Sequence, residues 1–245
     1  QASCIGGVVQ ACNPTLGSGA EVGCNNVDDD CDGLTDETGA GACIHVAANG
    51  GSGSGGASGS STDPLDNIQG AIDLAEATGT PRVCVANNDP FTGCAGRQDY
   101  DEDITMADGV SVYGGYDNNF FSAWTRPGAG SCVTAILNTE GDGVKFQDSI
   151  TSTTVLDGFT IIGENATTTA AVTIDGATGA VLSSNVINGG NGSTTYGVDV
   201  KDGATPLIAA NRITGGGGTT VSVGVRVSAA AARIEPDHGD AAAAI

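Results

Sequence analysis

The sequence predicts an all-β solenoid, a right-handed parallel β-helix of about six rungs, and three observations carry that expectation. Short β-branched stretches recur around Val83, Val110, Ile136, Ile161, Ile187 and Ile213, at a period of 25–27 residues. Two further series run in step with them: Val172, Val198 and Val225, then Val155, Val181 and Leu207. Gly, Asn and Asp separate the stretches, so each period reads as three short strands joined by tight turns. A fixed period in this range marks a solenoid, whose units bury their apolar sides only by stacking. Leucine-rich repeats share the period but need a dense Leu pattern that this chain lacks.

The rungs themselves say what should stack. Val172-Thr-Ile-Asp-Gly-Ala-Thr178 and Val198-Asp-Val-Lys-Asp-Gly-Ala-Thr205 are near copies that differ by one inserted residue. Stacked at about 4.8 Å per rung, Ile161, Ile187 and Ile213 point inside, and Asn185 and Asn211 form a side-chain ladder at a turn. The same alignment sets Asp175 beside Lys201 and Asp199 beside Arg226 on an outward, exposed face. Opposite charges across a ladder support a stable surface. After Val227 the pattern is expected to fail, because Ala229–Ala232 and Ala241–Ala244 stand where turn and strand residues belong. Either a different cap or further chain would follow, and an uncapped last rung would offer an edge to another subunit.

Ahead of the rungs, Asp63 reads as a helix N-cap, Pro64 suits the first turn, and Leu65, Ile68, Ile72 and Ala75 form one apolar stripe. Gly79 and Pro81 end that helix. Residues 49–62 are almost all Gly, Ser and Ala and read as a flexible linker. Residues 1–48 hold five of the eight cysteines and few apolar side chains, so a module this small needs staples or a metal. The expected organisation is a Cys-rich module over 1–48, the linker, a helix over 63–80, the β-helix over 81–234 and an irregular tail over 235–245.

One motif in the module carries chemistry: Cys24-Asn-Asn-Val-Asp28-Asp-Asp30-Cys-Asp32-Gly33-Leu34-Thr-Asp36-Glu37. Asp28, Asp30 and Asp32 match positions 1, 3 and 5 of a calcium loop, and Gly33 permits its sharp turn. Leu34 would offer a carbonyl and Asp36 a further carboxylate. Gly39 stands where the closing Glu belongs, with Glu37 as its substitute. No flanking EF-hand helices are evident, so the expectation is an isolated loop with a structural Ca²⁺. Clustering these carboxylates without a cation costs repulsion.

The eight cysteines lack paired zinc spacing, and His45 and His238 are the only imidazoles, so disulfides and an oxidising compartment are expected. With five cysteines before the linker and three after it, full pairing within one chain requires a bridge between the two parts. Cys24–Cys31 and Cys84–Cys94 are candidate local bridges among 105 possible connectivities. The chain opens on Gln1 without a leader, as a processed secreted protein would. No apolar run is long enough to span a membrane. A net charge of −21, from 29 acidic and 8 basic residues, opposes binding to nucleic acid or anionic membranes and suits cations.

Asp63-Pro-Leu-Asp-Asn-Ile-Gln-Gly-Ala-Ile72 and Asp108-Gly-Val-Ser-Val-Tyr-Gly-Gly-Tyr116 resemble bacterial surface members of the pectin-lyase-like parallel β-helix family. The resemblance covers residues 63–234 and implies that the amphipathic helix caps the first coil. The stretch 24–37 resembles a Cys-Asn-x-x-Asp-Asp-Asp-Cys-Asp-Gly metal-binding motif that recurs in secreted bacterial proteins.

Two functions are expected from these observations. The first is a structural, calcium-stabilised extracellular protein of the bacterial cell surface, an adhesin, coat component or filament subunit, with no catalytic residues. It would self-associate end to end or bind a surface glycan. The second is a carbohydrate-active β-helix, a polysaccharide lyase or hydrolase or a glycan-binding module. Its residues would come from Asp175, Asp199, Lys201, Asp202, Arg212 and Arg226. The charge opposes that second reading, since a chain at −21 repels a polyanion unless calcium bridges them. Tyr113, Tyr116, Phe120, Phe121 and Trp124 read as loop packing near the first coils more than as a sugar platform. Asn165-Ala-Thr and Asn191-Gly-Ser match a glycosylation sequon.

Overall fold

A computed structural model of the chain describes residues 4–5, 8–9, 43–48, 58–61, 63–87, 97–117, 132–138 and 143–235. Cys4–Ile5 and Val8–Val9 form a small antiparallel pair. The main body is a parallel β-solenoid of about five turns with three faces. The first face carries seven strands, in spatial order Cys43–Val46, Arg82–Asn87, Ser111–Asp117, Thr154–Asp157, Ala180–Ser183, Leu207–Ala209 and Arg233–Glu235. The second carries Arg97–Asp101, Val133–Leu137, Phe159–Ile162, Val186–Asn188 and Arg212–Thr214. The third carries Ile104–Thr105, Val144–Phe146, Thr168–Asp175, Thr194–Lys201 and Val221–Ser228.

The expected registers appear where the coils are regular. Ile136, Ile161, Ile187 and Ile213 pair in sequence on the second face, Val172, Val198 and Val225 on the third, and Val155, Val181 and Leu207 on the first. The single six-membered ladder is corrected at its start. Val83 belongs to the first face and pairs with Val112, whereas Ile136 pairs back to Tyr100 on the second. Val112 in turn pairs with Leu156. That early coil is far longer than 26 residues, so a near-constant spacing crossed from one face to another. The solenoid therefore has about five turns, where six rungs were expected.

The interior is a continuous core of small and β-branched residues, among them Val83, Val112, Ile136, Leu156, Ile161, Val172, Ile174, Leu182, Val198 and Ile208, with the fully buried rings of Phe146 and Phe159 packed among them. Stacking identical inward positions puts like side chains in contact along the axis, which buries them from coil to coil. The coil does not stop at Val227. Ala231 N–H donates to Ala204 C=O and Arg233–Glu235 pairs with Leu207–Ala209. Ala230 and Ala232 pack on the same core as Ala177, Ala180 and Ala204. The alanines are turn residues of another coil, small enough to sit in its corners.

The helix runs Ile68–Thr78 and buries Ile68, Ala71, Ile72 and Ala75 against Cys43–Val46, Arg82–Asn87 and Ile104–Thr105. Its N-cap is Asn67, whose side chain accepts from Gly70 N–H at 2.6 Å, and Gly79 ends it in the left-handed region. Asp63 is not the cap, because residues 63–65 are drawn into extended pairing instead. Leu65 bridges Val46, and the Asp63 carboxylate accepts from Ser58 N–H at 2.9 Å.

The first strand of the solenoid, Cys43–Val46, lies in the stretch assigned by sequence to the Cys-rich module. It joins the first face beside Arg82–Asn87, and Cys43 forms a disulfide with Cys84. This is the bridge across the linker that cysteine parity required, and it replaces the Cys84–Cys94 pairing. Cys132 is also disulfide-bonded. The expected Cys24–Cys31 bridge lies outside the described residues.

Candidate functional site

In-register stacking converts spacing along the chain into columns on the surface. On the third face one column runs Lys145, Thr173, Asp199 and Arg226, and its neighbour runs Asp175, Lys201 and Ser228. Both predicted charge pairs form. Lys201 Nζ lies 3.3 Å from Asp175 with both side chains partly exposed, so the pair is solvated and weak. Arg226 is different. Its Nε donates to Asp199 Oδ1 at 2.6 Å, and its terminal nitrogens donate to Asp199 Oδ2 and, at 3.0 Å, to the Tyr196 hydroxyl. The guanidinium also lies 4.0 Å from the centroid of the Tyr196 ring. Hydrogen bonding to Asp199 raises the Arg226 pKa further above its ordinary value.

Asp199, expected on an exposed face, is only 5% exposed. A buried carboxylate needs a full set of donors, and the planar fork of Arg226 supplies two in one plane. Tyr196 was not anticipated as a partner. Its only sequence signal is a lone aromatic three residues before the aspartate.

Beside this column an open cavity of ≈ 340 Å³ is lined by Gln147, Asp148, Asp175, Gly176 and Asp202. Asp175 and Asp202 both line it, and Lys201 reaches Asp175 through its ion pair. Arg212 does not join them. It sits on the second face, opposite Val186. The turns that build the cavity are fixed by backbone and side-chain bonds between coils. In the equivalent turn one coil earlier, Asp108 accepts from Thr151 N–H at 2.8 Å and Ser152 N–H at 2.7 Å, and these bonds lower its pKa.

Asparagine ladders close two other corners. Asn185 Nδ2 donates to Asn211 Oδ1 at 3.0 Å and to Leu156 C=O at 2.8 Å, while its Oδ1 accepts from Phe159 N–H at 2.9 Å. The sequon residues Asn165 and Asn191 stack likewise: Asn191 Nδ2 donates to Asn165 Oδ1 at 3.0 Å. Of the aromatic cluster, Tyr116 is fully buried beside Cys43, Ala47, Cys84 and Ala86, with Tyr113 packed on them. Phe120, Phe121 and Trp124 lie outside the described residues.

At the helix-bearing end, Tyr100 and His45 are buried and Glu102 is half-buried. Tyr100 donates its hydroxyl to Ala86 C=O at 2.9 Å, and burial pushes its pKa up. The Glu102 carboxylate accepts from Ile68 N–H at 2.8 Å and Gln69 N–H at 2.9 Å, which seats an anion at the helix N-terminus. Burial nevertheless raises its pKa. His45 is fully buried, and desolvation lowers its pKa to about 4.

The expected calcium ligands Asp28, Asp30, Asp32, Leu34, Asp36 and Glu37 lie outside the described residues. Among the described residues no group of three or more His, Cys, Asp or Glu side chains is placed to hold a metal ion, and no helix is long and apolar enough to cross a membrane. No protein-family model, curated protein or solved structure matches the chain.

Proposed function

We propose that this chain is a structural protein of the bacterial cell surface, a secreted, calcium-stabilised β-helix that serves as a rigid scaffold and self-associates into a coat or filament. The observation that carries the reading is the use made of the polar side chains between coils. Arg226, Asp199 and Tyr196 bind one another, Lys201 binds Asp175, and Asn185 and Asn211 bind backbone of neighbouring coils. Side chains spent on coil-to-coil contacts stiffen the stack and are poorly placed to turn over a substrate. On this reading the helix Ile68–Thr78 is the cap of the first coil, and it covers apolar residues that would otherwise meet water. Calcium is assigned to the loop Asp28, Asp30, Asp32, Leu34, Asp36 and Glu37 by its carboxylate spacing.

The cavity beside Asp175 and Asp202 is the observation that keeps a carbohydrate-active function as the second reading. It presents carboxylates to a ligand, and in a chain of charge −21 that repels a polyuronate unless a cation intervenes. Two measurements on the full chain separate the readings. A scaffold with a structural calcium loses several degrees of melting temperature in EGTA and releases no unsaturated sugar from polyuronates. Unchanged melting removes calcium from the account, and release of unsaturated sugar replaces the scaffold with a lyase.

A further inference from the structure

We propose that Ser58–Ser61 and Asp63–Leu65 form an acid-released strap over the edge strand Cys43–Val46, with His45 beneath it as the group whose protonation frees the strap. Among the described residues the strand is the outermost of the first face, and its neighbouring strand is Arg82–Asn87 on one side. Its other side would present unpaired N–H and C=O groups, a template for strand addition. The strap occupies that side. His45 N–H donates to Gly59 C=O at 2.8 Å, Leu65 N–H donates to His45 C=O at 2.9 Å, and Ala47 N–H donates to Leu65 C=O at 2.8 Å.

The strap is seated tightly. A side chain at Gly59, where φ is +75°, would meet the Ile44 side chain at 2.8 Å. The strap is folded on itself by Asp63 N–H donating to Ser60 C=O and Gly59 N–H to Asp63 C=O. Under it His45 is 0% exposed, with Nδ1 3.3 Å from Gly59 C=O. An imidazolium there has no water to solvate it, so protonation and closure oppose each other. Burial is the largest influence on His45, offset in part by the Gly59 and Cys43 backbones. Among the described residues, the ionisable groups on the packed elements are Asp63 and Asp66 on and after the strap, Arg82 on the next strand, Asp73 and Glu76 on the helix, and Arg97, Asp99, Tyr100, Asp101, Glu102 and Asp103 on the first coil. Asp63 is held by Ser58, and Glu102 by the helix N–H groups. The Cys43–Cys84 disulfide keeps the strand on its sheet while the strap lifts. What acid exposes is therefore a sheet edge, not an unfolded chain.

The sign follows from proton linkage. The closed form takes up the His45 proton only near pH 4, whereas the open form takes it up near the ordinary 6.5. Closure is then fully favoured above pH 6.5 and weakens as pH falls toward 4. Between pH 7.5 and 5.0 the open population rises roughly 30-fold. Hydrogen exchange of the intact, oxidised protein, corrected for the intrinsic pH dependence, reads this directly. The amides of His45, Ala47 and Leu65 should lose roughly 30-fold protection at pH 5.0, while those of Val172–Val200 hold theirs. His45→Gln, neutral at both pH values, should abolish the difference. Protection that does not change with pH, or that changes equally in His45→Gln, overturns the proposal. If His45→Gln leaves Val172–Val200 unprotected and so does not fold, the imidazole of the unaltered protein is titrated by NMR. A value below 5 supports the strap, and a value near 6.5 refutes it.

Discussion

The difference between the two charge pairs of the third face is set by burial. Asp199 is almost completely covered by the guanidinium above it and the Tyr196 ring, whereas Asp175 and Lys201 keep much of their water. Removing Arg226 strands a buried carboxylate, while removing Lys201 leaves a solvated one. Arg226→Ala should cost about 2 kcal/mol of unfolding free energy, the full value for a buried pair being reduced because the arginine is itself partly exposed. Lys201→Ala should stay within about 0.5 kcal/mol. Urea denaturation of the two variants checks this, and equal losses would mean that burial does not separate the pairs. Both pairs were legible in the sequence, because an in-register repeat converts an offset of 26 residues (Asp175–Lys201) or 27 (Asp199–Arg226) into a contact. Tyr196 was not legible as a partner. Tyr196 stands opposite Val223 and reaches Arg226 diagonally along the ladder, which no spacing rule encodes. The burial of His45 was equally hidden, since the residues that cover it come from a stretch whose composition reads as linker.

At the scale of the element, the corners are where local preference yields to stacking. Gly158, Ser184 and Ala210 occupy equivalent corners between the first and second faces, all with positive φ of 80°, 55° and 54°. Only the first is the residue a left-handed corner favours; the others carry a side chain there at about 1–2 kcal/mol of strain. Ala210→Gly should therefore stabilise the protein by about 1 kcal/mol, less the added freedom glycine gives the unfolded chain. Gly190→Ala should do the reverse, and more strongly. Its φ is +80°, and a Cβ there would lie 2.3 Å from the Gly163 and Glu164 carbonyls of the coil below. Thermal melts of both variants test the argument, and a destabilised Ala210→Gly would contradict it. The same override explains why the turns around Ser184 and Ala210 were not marked by glycine in the sequence. It also explains why the alanine run after Val227 looked like the end of the repeat.

For the molecule as a whole, the sequence disclosed the repeat but not its boundaries. In-register stacking demands like volumes at like positions, so the coils from Thr154 onward could be aligned by eye. The first coils could not, because long segments interrupt them and carried the apparent ladder from one face to the next. Cys43–Val46 was missed for a related reason. Its partner strand lies beyond the Gly/Ser stretch, and a strand of four residues carries no period of its own. The disulfide that holds it closes a loop with a sequence separation of 41. On the chain-entropy account that constraint is worth about 4 kcal/mol. Replacing both Cys43 and Cys84 by Ala should lower unfolding stability by about that amount and release the strand Cys43–Val46 before the later coils. Simultaneous loss of hydrogen-exchange protection in all coils would show instead that the strand is integral to one cooperative unit.

The central claim is that the coils form a calcium-stabilised scaffold that assembles. Electron microscopy of the native full chain, with calcium and after EGTA, tests it most directly. The account predicts ordered rods or sheets in calcium that disperse when the ion is removed. Dispersed single particles under both conditions would contradict it.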